Sequence, residues 1–140
     1  MSYLEHANIT VPDVEDAARF LQTLDPAFEI RHAGVGDDGL RWMHIGTQTS
    51  YFALRDVPPA NSSEAPVHDM YRIGVNHLGV VVKDIEAVAA RLRTAGYEEL
   101  SPGEAHPHRA RAYFLDGAGF EWELIEYFSD DPAQRNDYQN

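Results

Sequence analysis

Val75-Asn76-His77-Leu78-Gly79-Val80-Val81-Val82-Lys83-Asp84-Ile85-Glu86 overlays Leu4-Glu5-His6-Ala7-Asn8-Ile9-Thr10-Val11-Pro12-Asp13-Val14-Glu15 at a constant shift of 71 residues. His6 falls on His77, Asp13 on Asp84 and Glu15 on Glu86. Each stretch is a run of β-formers followed by a turn whose Asp is placed to cap a helix. Apolar residues at helical spacing come next in both copies. They are Ala17, Phe20, Leu21 and Leu24, ended by Pro26, and Ile85, Val88, Ala89 and Leu92, closed by Gly96.

Three strands complete the first copy. Phe28 to Ala33 is followed by a Gly34–Gly39 hairpin loop, then by Leu40 to Ile45 and Ser50 to Arg55. Arg41 to Arg55 overlays Arg111 to Ile125 at a shift of 70, which sets Ala53 on Glu123 and Met43 on Tyr113. The chain therefore reads as two tandem βαβββ modules with mixed sheets, an α+β architecture. Residues 1–56 form the first module and 73–128 the second. A Pro- and Ser-bearing linker covers 57–72, its His68 to Ile73 leading into the next strand, and an acidic tail covers 129–140.

Composition narrows the function classes. The chain has 140 residues and no cysteine, which excludes disulfides, thiolate metal sites and cysteine nucleophiles. A net charge of -12 argues against a nucleic-acid partner. No apolar run approaches the roughly 20 residues of a membrane helix, so no membrane partner is expected. A cytoplasmic protein acting on a small molecule is the default expectation.

Tyr113 to Tyr127 reads as strand, Asp116-Gly117-Ala118-Gly119 turn, strand. The second strand alternates, with Glu121, Glu123 and Ile125 on one face and Trp122, Leu124 and Glu126 on the other. A mid-strand carboxylate among aromatics needs a reason, and metal ligation by Glu123 with His6 and His77 supplies one. Glu126 lies on the wrong face and Glu121 sits nearer the turn, so the repeat selects Glu123.

The paired modules, the strand-borne His at the start of each, and the Asp116-Gly117-Ala118-Gly119…Glu123 ending resemble the vicinal oxygen chelate superfamily. It includes glyoxalase I, extradiol dioxygenases, fosfomycin-resistance transferases and bleomycin-binding proteins. The resemblance implies sheets curled into a metal-binding cup, closed within one chain or across a homodimer. It implies His6, His77 and Glu123 as ligands, with the fourth position falling on Ala53. Two His and one carboxylate form the facial triad of non-haem Fe(II) oxygenases. Tyr113, ten residues before Glu123, matches a catalytic tyrosine of the extradiol enzymes. Their second-shell histidine has no counterpart around Gln48 to Tyr51.

The resemblance thus favours an Fe(II)-dependent, extradiol-type dioxygenase. A glyoxalase- or epimerase-like lyase or isomerase using Mn(II), Ni(II), Co(II) or Zn(II) is the alternative. A metal-free binding or resistance protein is the alternative of another class.

His106-Pro107-His108-Arg109-Ala110-Arg111 is a basic cluster in an acidic chain. It reads as a solvated loop, or as the rim of a site for an anionic substrate. In the second case Arg109 and Arg111 share the face of Tyr113 and bind substrate, Arg55 does so more weakly, and His108 or His106 supplies acid–base chemistry. His32, His44 and His68 have no repeat partner and receive no role.

Overall fold

A computed structural model describes residues 1–67 and 69–139. His68, at the start of the expected lead-in to the second module, and the terminal Asn140 lie outside the described residues. The chain forms two compact units, Met1–Ala65 and Pro66–Asn140.

In the first unit β1 (His6–Val11), α1 (Val14–Leu24), β2 (Glu29–Val35), β3 (Arg41–Gly46) and β4 (Tyr51–Asp56) follow in order. The sheet order is β1-β4-β3-β2, with β1 parallel to β4 and the other pairs antiparallel. The second unit repeats this with β5 (His77–Val81), α2 (Ile85–Thr94), β6 (Glu99–Ser101), β7 (Arg109–Leu115) and β8 (Glu121–Tyr127). Its order is β5-β8-β7-β6, again with the first pair parallel. A short α3 (Pro132–Arg135) closes the chain. The expected α+β repeat of two βαβββ modules is therefore present.

Local chemistry explains the repetition. Asp13 Oδ1 accepts from the backbone N–H groups of Glu15 (2.8 Å) and Asp16 (3.3 Å), capping α1. Asp84 caps α2 by accepting from Ala87 N at 3.1 Å. Past α2, Gly96 adopts φ +90, Gly96 N donates to Arg93 O and Tyr97 N to Leu92 O. This is a Schellman closure, which a residue with a Cβ enters at a steric cost.

A second cap recurs across each unit. Asp56, at the end of β4, accepts from Val14 N at 2.9 Å, and Glu126, near the end of β8, accepts from Ile85 N at 2.9 Å. Each helix start is thus tied to its unit's last strand.

The helices cover one face of each sheet. Phe20, Leu21 and Leu24 are fully buried with Ile45, Leu54 and Val11, and Leu92 is buried with Phe114, Trp122 and Leu124. The expected split of β8 holds, since Trp122 and Leu124 are buried while Glu121 and Glu123 keep partial exposure on the other face. The β7–β8 turn is stapled by Asp116. Its Oδ1 accepts from Ala118 N and Phe120 N, both at 2.9 Å, and its Oδ2 from Trp122 Nε1 at 3.0 Å. Burial raises the Asp116 pKa, and these hydrogen bonds hold it back toward the ionised form.

One alignment is corrected by the register. Tyr113 pairs with Glu123, and the residue that pairs with Ala53 is His44. Met43 pairs instead with Leu54, is buried, and lies on the helix-covered face. The two hairpin loops differ by one residue, since Gly46 pairs with Tyr51 but Leu115 with Glu121. The shift of 70 therefore holds for the last strand and becomes 69 on the strand before it, which makes His44 the counterpart of Tyr113.

Candidate functional site

The exposed face of the second sheet gathers three polar side chains around one carboxylate. β8 carries Glu123, flanked in register by Tyr113 on β7 and Gly79 on β5. His77 stands two residues before Gly79, a diagonal neighbour on the same face. His77 Nε2 lies 2.9 Å from Glu123 Oε2, and the Tyr113 hydroxyl donates to Glu123 Oε1 at 3.1 Å. Arg111 Nη1 lies 3.9 Å from Glu123 Oε1. The carboxylate side chain is only 13% exposed, so these contacts act with little solvent screening.

Burial pushes the Tyr113 phenol up first, and the Glu123 charge and hydrogen bond push it further, while Arg111 pulls weakly the other way. The phenol therefore stays protonated at neutral pH and acts as a donor. Among the described residues Arg111 Nε is buried without a hydrogen-bond partner, although its Nη1 lies near the carboxylate. A guanidinium with an unused buried donor is suited to an incoming anion.

Each histidine is oriented by the residue before it. His77 Nδ1 meets Asn76 Oδ1 at 2.8 Å, and His6 Nδ1 meets Glu5 Oε2 at 2.9 Å. Glu5 and Asn76 occupy the same repeat position. An acceptor on Nδ1 fixes that proton and directs Nε2 to a ligand, the arrangement typical of metal-binding imidazoles. Sequence reading overlooked this pair, although both residues were inside the repeat.

The remaining candidates have other partners. Arg109 is buried, donates from Nη1 to Arg135 O at 3.1 Å and places its guanidinium 4.7 Å from the Tyr138 ring centroid. It anchors the C-terminal segment. Arg55 is ion-paired with Asp38. His108 packs against His106 with ring centroids 5.7 Å apart, and His108 N donates to His106 Nδ1 at 3.1 Å. None of these three contacts Glu123 among the described residues.

In the first unit His6 stacks on Tyr51 with ring centroids 4.9 Å apart. His44, at the position of Tyr113, also meets Tyr51 at 4.9 Å. Burial lowers the His44 pKa, with the nearby charge of Arg31 adding to the effect. Among the described residues no three His, Cys, Asp or Glu side chains already enclose a metal position. The His77–Glu123 pair nevertheless fits a divalent ion in kind, bringing one imidazole nitrogen and one carboxylate oxygen within 2.9 Å of each other.

Comparison with curated proteins finds no match. Solved structures share the fold at low identity. A glyoxylase/bleomycin resistance protein/dioxygenase domain from Frankia sp. EAN1pec superposes with a TM-score of 0.72 at 21% identity, covering 91% of this chain and 98% of that one. A glyoxalase family protein from Bacillus cereus gives 0.73 at 15%, with 92% and 96% covered. The fosfomycin resistance protein FosX from Listeria monocytogenes gives 0.69 at 15%, with 89% and 92% covered. The family model for the glyoxalase/bleomycin resistance protein/dioxygenase superfamily matches residues 3–124. With its repeated βαβββ modules, the chain belongs to this superfamily, the vicinal oxygen chelate group.

Proposed function

We propose that the chain is a divalent-metal-dependent enzyme acting on a small substrate that offers two adjacent oxygens. The carrying observation is Glu123, whose two oxygens meet the His77 imidazole and the Tyr113 phenol. His77 and Glu123 would hold the ion, with His6 of this chain or of a second copy as third ligand. The bound ion would supply Lewis-acid polarisation of the substrate oxygens. Ala53 adds no fourth ligand, which favours Fe(II) and an extradiol-type oxygenase. Tyr113 keeps its proton and hydrogen-bonds through it to a substrate oxygen, orienting the ring or chain it belongs to. Arg111 binds an anionic group of the substrate. Arg109 and Arg55 are committed to Arg135, Tyr138 and Asp38 and are weaker candidates for that task.

A second reading, a lyase, isomerase or hydrolytic enzyme using Mn(II), Ni(II), Co(II) or Zn(II), is favoured by the FosX structure solved with Mn(II) and sulfate. The test is metal titration followed by oxygen uptake with catechols. Binding of Fe(II) with substrate-dependent oxygen uptake supports the oxygenase. Tight metal binding without oxygen uptake moves the assignment to the second reading. A protein that binds none of these ions and gains no thermal stability from them would sink both.

A homodimer is part of the same proposal. Val67, Met70, Tyr71, Ile73 and Val75 are all exposed, Tyr71 by 97% and Ile73 by 108% of their reference surface. A run of large apolar side chains in water marks an interaction surface. Sedimentation velocity at micromolar concentration is expected to show a dimer, and a Tyr71→Ser, Ile73→Ser variant to shift toward monomer. A wild type that sediments as a monomer overturns this part.

A further inference from the structure

The two sheets share one plan, so their open faces can be compared position by position. Register sets His44 where the second unit has Tyr113, Trp42 where it has Arg111, Tyr51 where it has Glu121, and Ala53 where it has Glu123. The second unit's face is built of charged and hydrogen-bonding groups. The first unit's is built of rings.

Those rings are continuous. His32 and Trp42 lie 5.2 Å apart between centroids, Trp42 and His44 5.2 Å, His44 and Tyr51 4.9 Å, and Tyr51 and His6 4.9 Å. The strip crosses all four strands, β2, β3, β4 and β1. It lies on the face away from α1, so it is no part of the helix-covered core. Trp42, His44 and Tyr51 are half-buried, and His6 and His32 are exposed. The His32 and His44 ring nitrogens make no hydrogen bond among the described residues.

Two backbone features shape the strip. A Cβ on Gly34 would meet the Trp42 ring at 2.9 Å, so the glycine lets the indole lie against β2. The β2–β3 register slips between Ile30 and His32, a bulge centred on Arg31. Arg31 is thereby turned over the Tyr51 ring, its guanidinium 4.1 Å from the centroid.

We propose that this strip is a stacking platform for a planar aromatic anion, with Arg31 as its counter-charge and His6 at its edge. Flat rings at half-exposed positions offer π faces to a planar guest, and a guanidinium recognises a carboxylate in the same plane. In a chain of net charge -12, a cation held over the rings is a local departure that selects anions. The platform names the substrate class for the proposed enzyme and to that extent rests on that reading.

The test titrates the metal-free full chain with 4-nitrobenzoate, read by quenching of tryptophan emission and by calorimetry. Trp42 and Trp122 are the two emitters, and Trp122 is buried and bonded to Asp116. Binding is expected to be about tenfold tighter than that of cyclohexanecarboxylate, and Trp42→Leu to weaken it by about tenfold. Arg31→Gln, at an exposed position, is expected to weaken 4-nitrobenzoate and leave neutral 4-nitrobenzyl alcohol unchanged. Equal affinity for aromatic and saturated acids, or no effect of Trp42→Leu and Arg31→Gln, overturns the platform. Trp42 emission that responds to protein concentration and not to ligand would assign the strip to a second copy and also overturns it. Fe(II) and Mn(II) titrations run in parallel separate the two ideas. Ring-dependent binding in a protein that takes up no metal supports the platform while sinking the metal reading.

Discussion

Glu123→Gln is expected to lower the affinity for Fe(II) or Mn(II) by at least about 100-fold, read by calorimetry or a competing chelator. The benchmark is that outer partners of metal ligands cost about 10–100-fold when removed, so the ligand itself should cost more. Glutamine keeps the size and one oxygen but loses the charge that draws a cation. Asn76→Ala, which removes only the acceptor on His77 Nδ1, is expected to cost about tenfold by the same benchmark. The graded pair separates a ligand from the residue that aims it. Unchanged metal affinity in Glu123→Gln, with the variant folded, would remove Glu123 from the site. Tyr113→Phe makes a useful control, because it deletes one hydrogen bond to Glu123 and leaves all three proposed ligands in place.

Phe114→Ala is expected to destabilise the protein by about 3–5 kcal/mol, the range for a buried phenylalanine that leaves a cavity. Phe114 is fully buried, lies between Tyr113 and Leu115 on β7, and pairs in register with Trp122. Its side chain points into the core while its neighbour Tyr113 points to Glu123, so one strand carries both the core anchor and the site. Such a loss is a large share of the roughly 5–15 kcal/mol that holds a typical domain folded. Urea denaturation followed by circular dichroism measures it. A loss below about 1 kcal/mol would mean that the β7–β8 core relaxes around the gap, against the packing described here.

The site was legible in part because its residues obey short periods. Alternation along β8 separated Glu123 from Trp122 and Leu124, and the repeat paired His6 with His77. Arg111 and Tyr113 fell on the face of Glu123 by the same alternation. Arg109 also has that parity, yet its guanidinium turns to Arg135 and Tyr138, because a long side chain at a strand end goes to whatever packs over it. The tail that does so lies 26 residues further on, beyond any local pattern. His44 was missed for a related reason. A constant shift set Met43 on Tyr113, while one residue of difference between two hairpin loops moves every partner on that strand to the other face.

Sequence alone determined the order of elements, the helix caps at Asp13 and Asp84, the buried and open faces of β8, and the pairing of the two histidines. All of these rest on contacts within a few residues or on the internal repeat. Only the tertiary structure decided that Asn76 and Glu5 orient the imidazoles, that Tyr113 and His77 share the Glu123 carboxylate, and that the first sheet carries a strip of rings under Arg31. Those depend on strand register and on a bulge, which are set when distant strands pair and their loops close.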